Sequence, residues 1–224
     1  MSAVFLTATG TDIGKTFIAC GLIRELMQRG QAVSAVKPLV SGYQDWSAPA
    51  SDPARLLAAL DIPATDEEIA RVAPFRFRAP IAPDRAAERE GRHVDFAALV
   101  AFCRGAADES AGTLLIEGIG GVMVPVDARH TVLDLVVELG HPALLVVGSY
   151  LGTISHTLTA LAVLRQRRVK IAAIVVSETA ASSVPLADQV TSIGHFAGTV
   201  PVIALPRLAP GASHAVFGTL ADLL

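Results

Sequence analysis

The sequence predicts an α/β fold, a three-layer sandwich around a mainly parallel sheet. Two observations carry this. Strand-like apolar runs alternate with helix-like patterns from end to end. The runs also lack polar alternation, Leu144-Leu145-Val146-Val147 being typical, as expected of strands covered by helices on both faces.

The strands are expected at residues 4–7, Val33–Val36, 114–116, Ala143–Val147, 171–176 and Val202–Leu205. Helical patterns fall at 15–29, 52–60, Asp66–Val72, 96–106, Val132–Leu139, 154–165 and 186–196. Gly30 stands where a helix-terminating glycine belongs, and Thr65 with Glu68 has capping-box spacing. Residues 76–91, with Pro80 and Pro83, read as an irregular and functional loop.

Composition narrows the class. The 224 residues are 52% apolar and 17% charged, against about 25% charged in a typical domain, which excludes intrinsic disorder. With no linker-like tract, a single domain over residues 1–224 is expected. Eighteen basic and 21 acidic residues give a net charge of −3. No global basic field holds nucleic acid or an anionic membrane, so phosphate binding has to be local. Cys20 and Cys103 sit in apolar helical patterns without metal-like spacing and read as buried free thiols of a reducing, cytoplasmic compartment. Met1 leads into Val4-Phe5-Leu6 with no basic segment, so no signal peptide is expected. Residues 142–164 contain no Asp, Glu, Lys or Arg, but glycines, hydroxyl residues and His156 interrupt them, and they read as strand, turn and helix.

The first strand runs into Ala8-Thr9-Gly10-Thr11-Asp12-Ile13-Gly14-Lys15-Thr16 and then Phe17. In such a loop, backbone N–H groups and the helix start cradle a polyphosphate. Lys15 reaches the β and γ oxygens, and the Thr16 hydroxyl ligates Mg²⁺. Thr9 stands where the strict pattern has its first glycine, so the loop is a variant. The fold expectation sharpens to the P-loop NTPase type. Glu117 ends the third strand and precedes Gly118-Ile119-Gly120-Gly121, a position suited to the same metal. Asp52, after Ser51, reads equally as a metal ligand or as part of a helix cap. Lys37 ends the second strand, which is expected beside the phosphate-loop strand, and would face the same cleft.

These blocks together resemble the dethiobiotin synthetase family over nearly the whole chain. The phosphate loop is similar to the family's Gly-Thr-Asp-Thr-x-Val-Gly-Lys-Thr. Lys37-Pro38 with Ser41-Gly42, Glu117 to Gly121 with Pro125, and Leu151-Gly152-Thr153-Ile154-Ser155-His156-Thr157 match further family blocks. Ala8, Gly10, Ser155, Ser177 and Ala82-Pro83-Asp84 depart from it.

The resemblance implies ATP- and Mg²⁺-dependent closure of a cyclic urea from 7,8-diaminopelargonate and CO₂, through a carbamate and a carbamic–phosphoric anhydride. It implies a homodimer with the site at its interface, where 153–155 would meet the partner's substrate carboxylate. Lys15 and Lys37 would act on the transferring phosphoryl group and the carbamate, with Thr11 and Ser41 contacting substrate. Asp12, Ile13, Gly14, Lys15, Thr16 and Phe17 would hold the phosphates, and Thr16, Asp52 and Glu117 the metal. Ser177 stands where the family usually places an adenine-reading asparagine, and Pro206-Arg207 lie near the same pocket or, for the Arg207 side chain, in solvent. His156, early in a buried helix, is expected to pack or to hydrogen-bond; His93 and His130 read as surface residues.

A second reading is a partitioning or site-selecting ATPase acting through dimerisation. Gly10 stands where that class carries its signature lysine, and residues 219–224 contain no basic residue. A corrinoid amidotransferase-type synthetase would need a nucleophilic cysteine in a suitable turn, which neither Cys20 nor Cys103 offers.

Overall fold

The computed structural model describes residues 2–44, 50–180, 182 and 184–224. Six parallel strands form the main sheet: β1 (Ser2–Ala8), β2 (Val33–Val36), β5 (Thr113–Glu117), β6 (Ala143–Val147), β7 (Ile171–Ser177) and β8 (Val202–Leu205). Their spatial order is β2-β5-β1-β6-β7-β8. A separate parallel pair joins β3 (Leu39–Ser41) to β4 (Phe75–Phe77).

The nine helices of the described residues are α1 (Lys15–Gln28), α2 (Asp52–Ala59), α3 (Asp66–Val72), α4 (Pro83–Arg89), α5 (Phe96–Glu109), α6 (Val132–Leu139), α7 (Thr153–Gln166), α8 (Leu186–Ala197) and α9 (Ala215–Ala221). Successive strand residues serve opposite faces. Val4, Leu6, Ala8, Leu144 and Val146 pack under α1, α2 and α9. Phe5 and Ile116 pack under α5 and α6 on the other face, and Leu145, Val147, Ile174 and Val176 under α7 and α8. Both faces are covered, which is why the strands read as unbroken apolar runs. Each fully buried Leu, Ile or Phe contributes about 1.5–3 kcal/mol.

Residues 76–91, expected to be irregular, hold the end of β4 and all of α4. The Pro83 start of α4 is a regular first-turn proline, so the turn signals marked a helix entry rather than a long loop. α9 was absent from the sequence expectation; Val216, Phe217 and Leu220 bury one face of it against α1. Gly30 has φ 70° and donates to the Met27 carbonyl, closing α1 as expected. Thr65 accepts from the Glu68 amide at 3.2 Å, the expected N-cap bond. Residues 142–164 form β6, a turn and α7, and no helix among the described residues is long and apolar enough to cross a membrane.

Lys37 requires a correction. β2 is not the neighbour of β1, because β5 lies between them. The expectation rested on sequence adjacency, which a crossover breaks. The consequence is specific: Glu117, at the end of β5, sits between the phosphate loop and Lys37.

Candidate functional site

The site gathers beyond the carboxyl ends of β1, β2 and β5, where open parallel sheets place ligands. The turn after β1 is shaped by backbone demands. Asp12 has φ 58° and Gly14 has φ 104° at the N-terminus of α1, and only glycine adopts the second value without strain. Gly121 lies against the same turn, since a Cβ there would come within 3.1 Å of the Thr9 backbone. The other two glycines of this turn answer different demands, Gly118 packing on the Phe5 ring and Gly120 taking φ 57° against the Val124 side chain.

Two lysines occupy the floor. The Lys15 ammonium donates to the carbonyls of Gly10 at 3.1 Å and Gly120 at 2.9 Å. Its burial, reinforced by the nearby charge of Lys37, pushes its pKa down from 10.5 to about 8, although Glu117, Asp52 and Asp12 pull the other way. Lys37 sits 2.5 Å from Glu117 Oε1 and 2.8 Å from Asp52 Oδ2. Burial works against its charge, but Glu117 and Asp52 more than offset that and hold it above the ordinary lysine value. Burial likewise works against the Asp52 carboxylate, and Lys37 and the Thr16 hydroxyl hold it below the usual range.

Asp52 is thereby resolved. Ser51, not Asp52, caps α2, its side chain accepting from the Ala54 amide at 3.4 Å. The Asp52 carboxylate is left to face Lys37.

The Thr16 hydroxyl donates to Glu117 Oε1 at 2.6 Å, while Glu117 Oε2 is buried with no hydrogen-bond partner among the described residues. A buried carboxylate oxygen without a donor fits a cation. Two carboxylates and one hydroxyl are the hard-oxygen set that Mg²⁺ takes when substrate phosphates complete its shell. No cluster of three or more acidic, His or Cys residues suited to a metal exists among the described residues.

Thr11, Asp12, Gly14, Phe17, Ser41 and Asp52 line one cleft of about 710 Å³ with both lysines, Thr16 and Glu117. Ile13, expected with the phosphate-loop residues, is buried in the core under α1 and reaches the site only through its backbone. Ser177, Pro206 and Arg207 do not line the cleft. Ser177 packs against Gly14, its hydroxyl oxygen 2.8 Å from where a Cβ would stand. The Arg207 side chain is exposed, and its backbone amide donates to Glu178 Oε2 at 2.8 Å. Sequence reasoning missed Arg55, which lines the cleft one helical turn beyond Asp52; the three-residue spacing was the available signal. It also missed the Gly120 carbonyl, for which no sequence signal exists.

Of the three histidines considered, His93 is exposed as expected and the other two differ in burial. His156 is exposed rather than buried and hydrogen-bonds the Tyr150 hydroxyl at 2.9 Å, because it lies on the outer side of α7. His130 is half-buried, stacked on Phe96 at 4.0 Å and paired with Asp127 at 2.8 Å. Cys20 and Cys103 are buried free thiols as expected, pushed up by burial to about 11 and about 12.

A family model described as an AAA domain matches residues 2–211. The ATP-dependent dethiobiotin synthetase BioD of Caulobacter sp. (strain K31) is 48% identical over 92% of this chain and 89% of its own length. The protein of the same description from Caulobacter vibrioides (strain NA1000 / CB15N) is 45% identical over 100% of this chain and 99% of its own. The chain belongs to the dethiobiotin synthetase family.

Members of this family share their fold with distant ATPases. The Pyrococcus furiosus cell division ATPase MinD superposes with a TM-score of 0.59 at 16% identity, covering 100% of this chain and 98% of that one. A ParA family ATPase from Chlorobium tepidum TLS does so with 0.55 at 14%, over 99% and 97%. Those likenesses concern the fold alone. For this dethiobiotin synthetase relative, the metal assignment has a direct check. Asp52→Ala and Glu117→Ala should each raise the Mg²⁺ concentration for half-maximal rate by about tenfold, read from a magnesium titration. An unchanged titration for Asp52→Ala would leave Asp52 as a partner of Lys37 only.

Proposed function

We propose that the protein makes dethiobiotin from 7,8-diaminopelargonate, CO₂ and ATP, an ATP-dependent ligase reaction that closes a ureido ring. The observation that carries this is the convergence of Lys15, Lys37, Thr16 and Glu117 on one cleft, in a chain 45–48% identical to proteins described as ATP-dependent dethiobiotin synthetases.

One amine captures CO₂ as a carbamate. A carbamate oxygen attacks the γ-phosphorus of ATP, releasing ADP and leaving a carbamic–phosphoric anhydride. The second amine attacks the anhydride carbonyl, and phosphate departs. Each step builds or moves negative charge, so positioning and electrostatics carry the rate. Lys15 leaves the Gly10 and Gly120 carbonyls for the β and γ oxygens. Lys37 steadies the carbamate and the γ oxygens, while Thr11 and Ser41 contact substrate. The loop amides of residues 12–17 hold the phosphates. Thr16, Asp52 and Glu117 would hold Mg²⁺, which supplies charge neutralisation at the phosphates.

The active unit is a homodimer in this reading. Leu151 is 82% exposed beside Gly152 at the start of α7, with Met123 55% exposed, and such apolar side chains suit a second copy. The amides of 153–155 would then face the partner's substrate carboxylate. The ATPase alternative is not favoured, given the relatives and Gly10. Incubating the protein with MgATP, bicarbonate and 7,8-diaminopelargonate should yield dethiobiotin by mass; its absence would sink the proposal.

Nucleotide choice is a further expectation. Asparagine presents an acceptor and two donors that match adenine N6 and N7 together, and a serine hydroxyl cannot make that pair. With Ser177 at the position where the family resemblance places the adenine-reading asparagine, and Glu178 committed to the Arg207 amide, base discrimination should weaken by roughly 1–3 kcal/mol. The enzyme should use GTP or CTP appreciably beside ATP, and Ser177→Asn should sharpen the ATP preference. Values of kcat/KM for the three nucleotides in both forms decide it. Strong ATP selectivity in the unmodified protein would assign base reading to other groups.

A further inference from the structure

The turn before α7 is held to the turn after β7 by a buried polar knot centred on Ser149, which is fully buried. The Ser149 hydroxyl oxygen accepts the Thr179 amide at 2.8 Å and lies 3.1 Å from the Thr179 hydroxyl. Its carbonyl accepts from Gln189 Nε2 at 2.5 Å and from the Ser182 hydroxyl at 2.7 Å. Ser182, however, also lies 2.7 Å from the Val184 carbonyl. One hydroxyl proton cannot serve two carbonyls at once, so Gln189 is the donor that the Ser149 carbonyl holds without competition.

Gln189 is an unusual occupant of its position. It falls on the buried stripe of α8 with Ile193 and Ala197, where an apolar residue would pack without polar cost. It is 2% exposed, and its Oε1 has no hydrogen-bond partner among the described residues. A buried amide with an unpaired acceptor is a poor contributor to stability. Its amide group is spent on one carbonyl, and that carbonyl begins the turn Tyr150-Leu151-Gly152 that leads into α7.

We propose that Gln189 is a positioning residue: from the first turn of α8 it sets the 149–152 turn, and through it the start of α7. This rests on the reading that the α7 start receives the partner's substrate carboxylate. One protomer's α8 thereby fixes the surface which that protomer offers to the substrate of the other. Gln189 touches no reacting atom in this arrangement; it acts through the Ser149 carbonyl.

Gln189→Met keeps side-chain length and removes the donor together with the unpaired acceptor. It should raise KM for 7,8-diaminopelargonate about three- to tenfold while KM for ATP moves less than about twofold. The melting temperature should stay level or rise, and the amides of 150–153 should exchange with deuterium faster. Ser182→Ala, which leaves Gln189 in place, should move neither KM. A lowered melting temperature with unchanged KM values and unchanged exchange at 150–153 would make Gln189 merely structural and overturn the proposal. Equal rises in both KM values, or an equal effect from Ser182→Ala, would overturn it too. A wild-type protein that makes no dethiobiotin fails the functional reading instead, and the exchange of 150–153 in Gln189→Met then decides the positioning role alone.

Discussion

Lys15→Ala should lower turnover about a thousandfold or more, the scale of removing a preorganised group aimed at developing charge, while the fold survives. The structure makes the second half of that expectation firm. Lys15 is a buried ammonium held by two carbonyls, with no carboxylate of the described residues in hydrogen-bond contact, so its loss removes a desolvated charge rather than one half of an ion pair. The sign of its pH effect follows from its pKa of about 8 against 10.5. Between those values the unfolded chain holds the proton and the folded one does not, so the contribution of Lys15 to the stability of the nucleotide-free protein rises with pH across that window, opposed above pH 9 by the buried Cys20 and Cys103 thiols, which keep their protons in the folded chain after the unfolded one has lost them. The Lys15 contribution is about 3 kcal/mol in full, and most of it should appear as a pH-dependent difference in stability between the unmodified protein and Lys15→Ala in urea titrations from pH 7.5 to 10. Polyphosphate next to Lys15 restores the proton, so ATP binding should take up protons near pH 8 to 9, visible as a buffer-dependent heat. Near-normal turnover in Lys15→Ala would sink the phosphate-loop assignment.

Lys37→Gln should be costly in two separable ways. The Lys37 side chain lies between two carboxylates, and breaking a buried pair from one side destabilises by about 3–5 kcal/mol because the partner charge is left unpaired. The loss should fall near the lower end, since glutamine still donates a hydrogen bond to Glu117. Because Lys37 is assigned to charge that develops during reaction, kcat should fall by about a hundredfold or more, with KM for ATP moving little. Adding Glu117→Gln removes the stranded carboxylate and should recover most of the stability without recovering kcat. Denaturant melts and steady-state kinetics of the single and double variants separate the two effects. An unchanged kcat with a raised KM would reduce Lys37 to a tether of the bound ground state.

The local sequence by itself determined the element types and the phosphate loop. β2, β6 and β8 and helices α3 and α6 fall at their expected residues, because strands covered on both faces and helices with a capped, apolar stripe carry their signals within ten residues. Gly14, Lys15 and Thr16 were legible for the same reason: a phosphate cradle is one contiguous turn. Short elements stabilised from outside were not legible. β3 and β4 are three residues each and exist through pairing with one another across 36 positions of chain, and α9 depends on burying Phe217 against α1.

The tertiary structure alone decided the partners. Sequence order placed Lys37 on a strand beside the phosphate loop, and the crossover inserted β5 between them. Only that insertion brings Glu117 within reach of both Thr16 and Lys37, residues 101 and 80 positions away. Asp52 was ambiguous until the Ser51 cap freed its carboxylate. Strand order, and with it every long-range charge pairing in the site, is set by which apolar surfaces stack on which. That choice leaves no periodic mark in the chain, since each strand buried on both faces looks like any other.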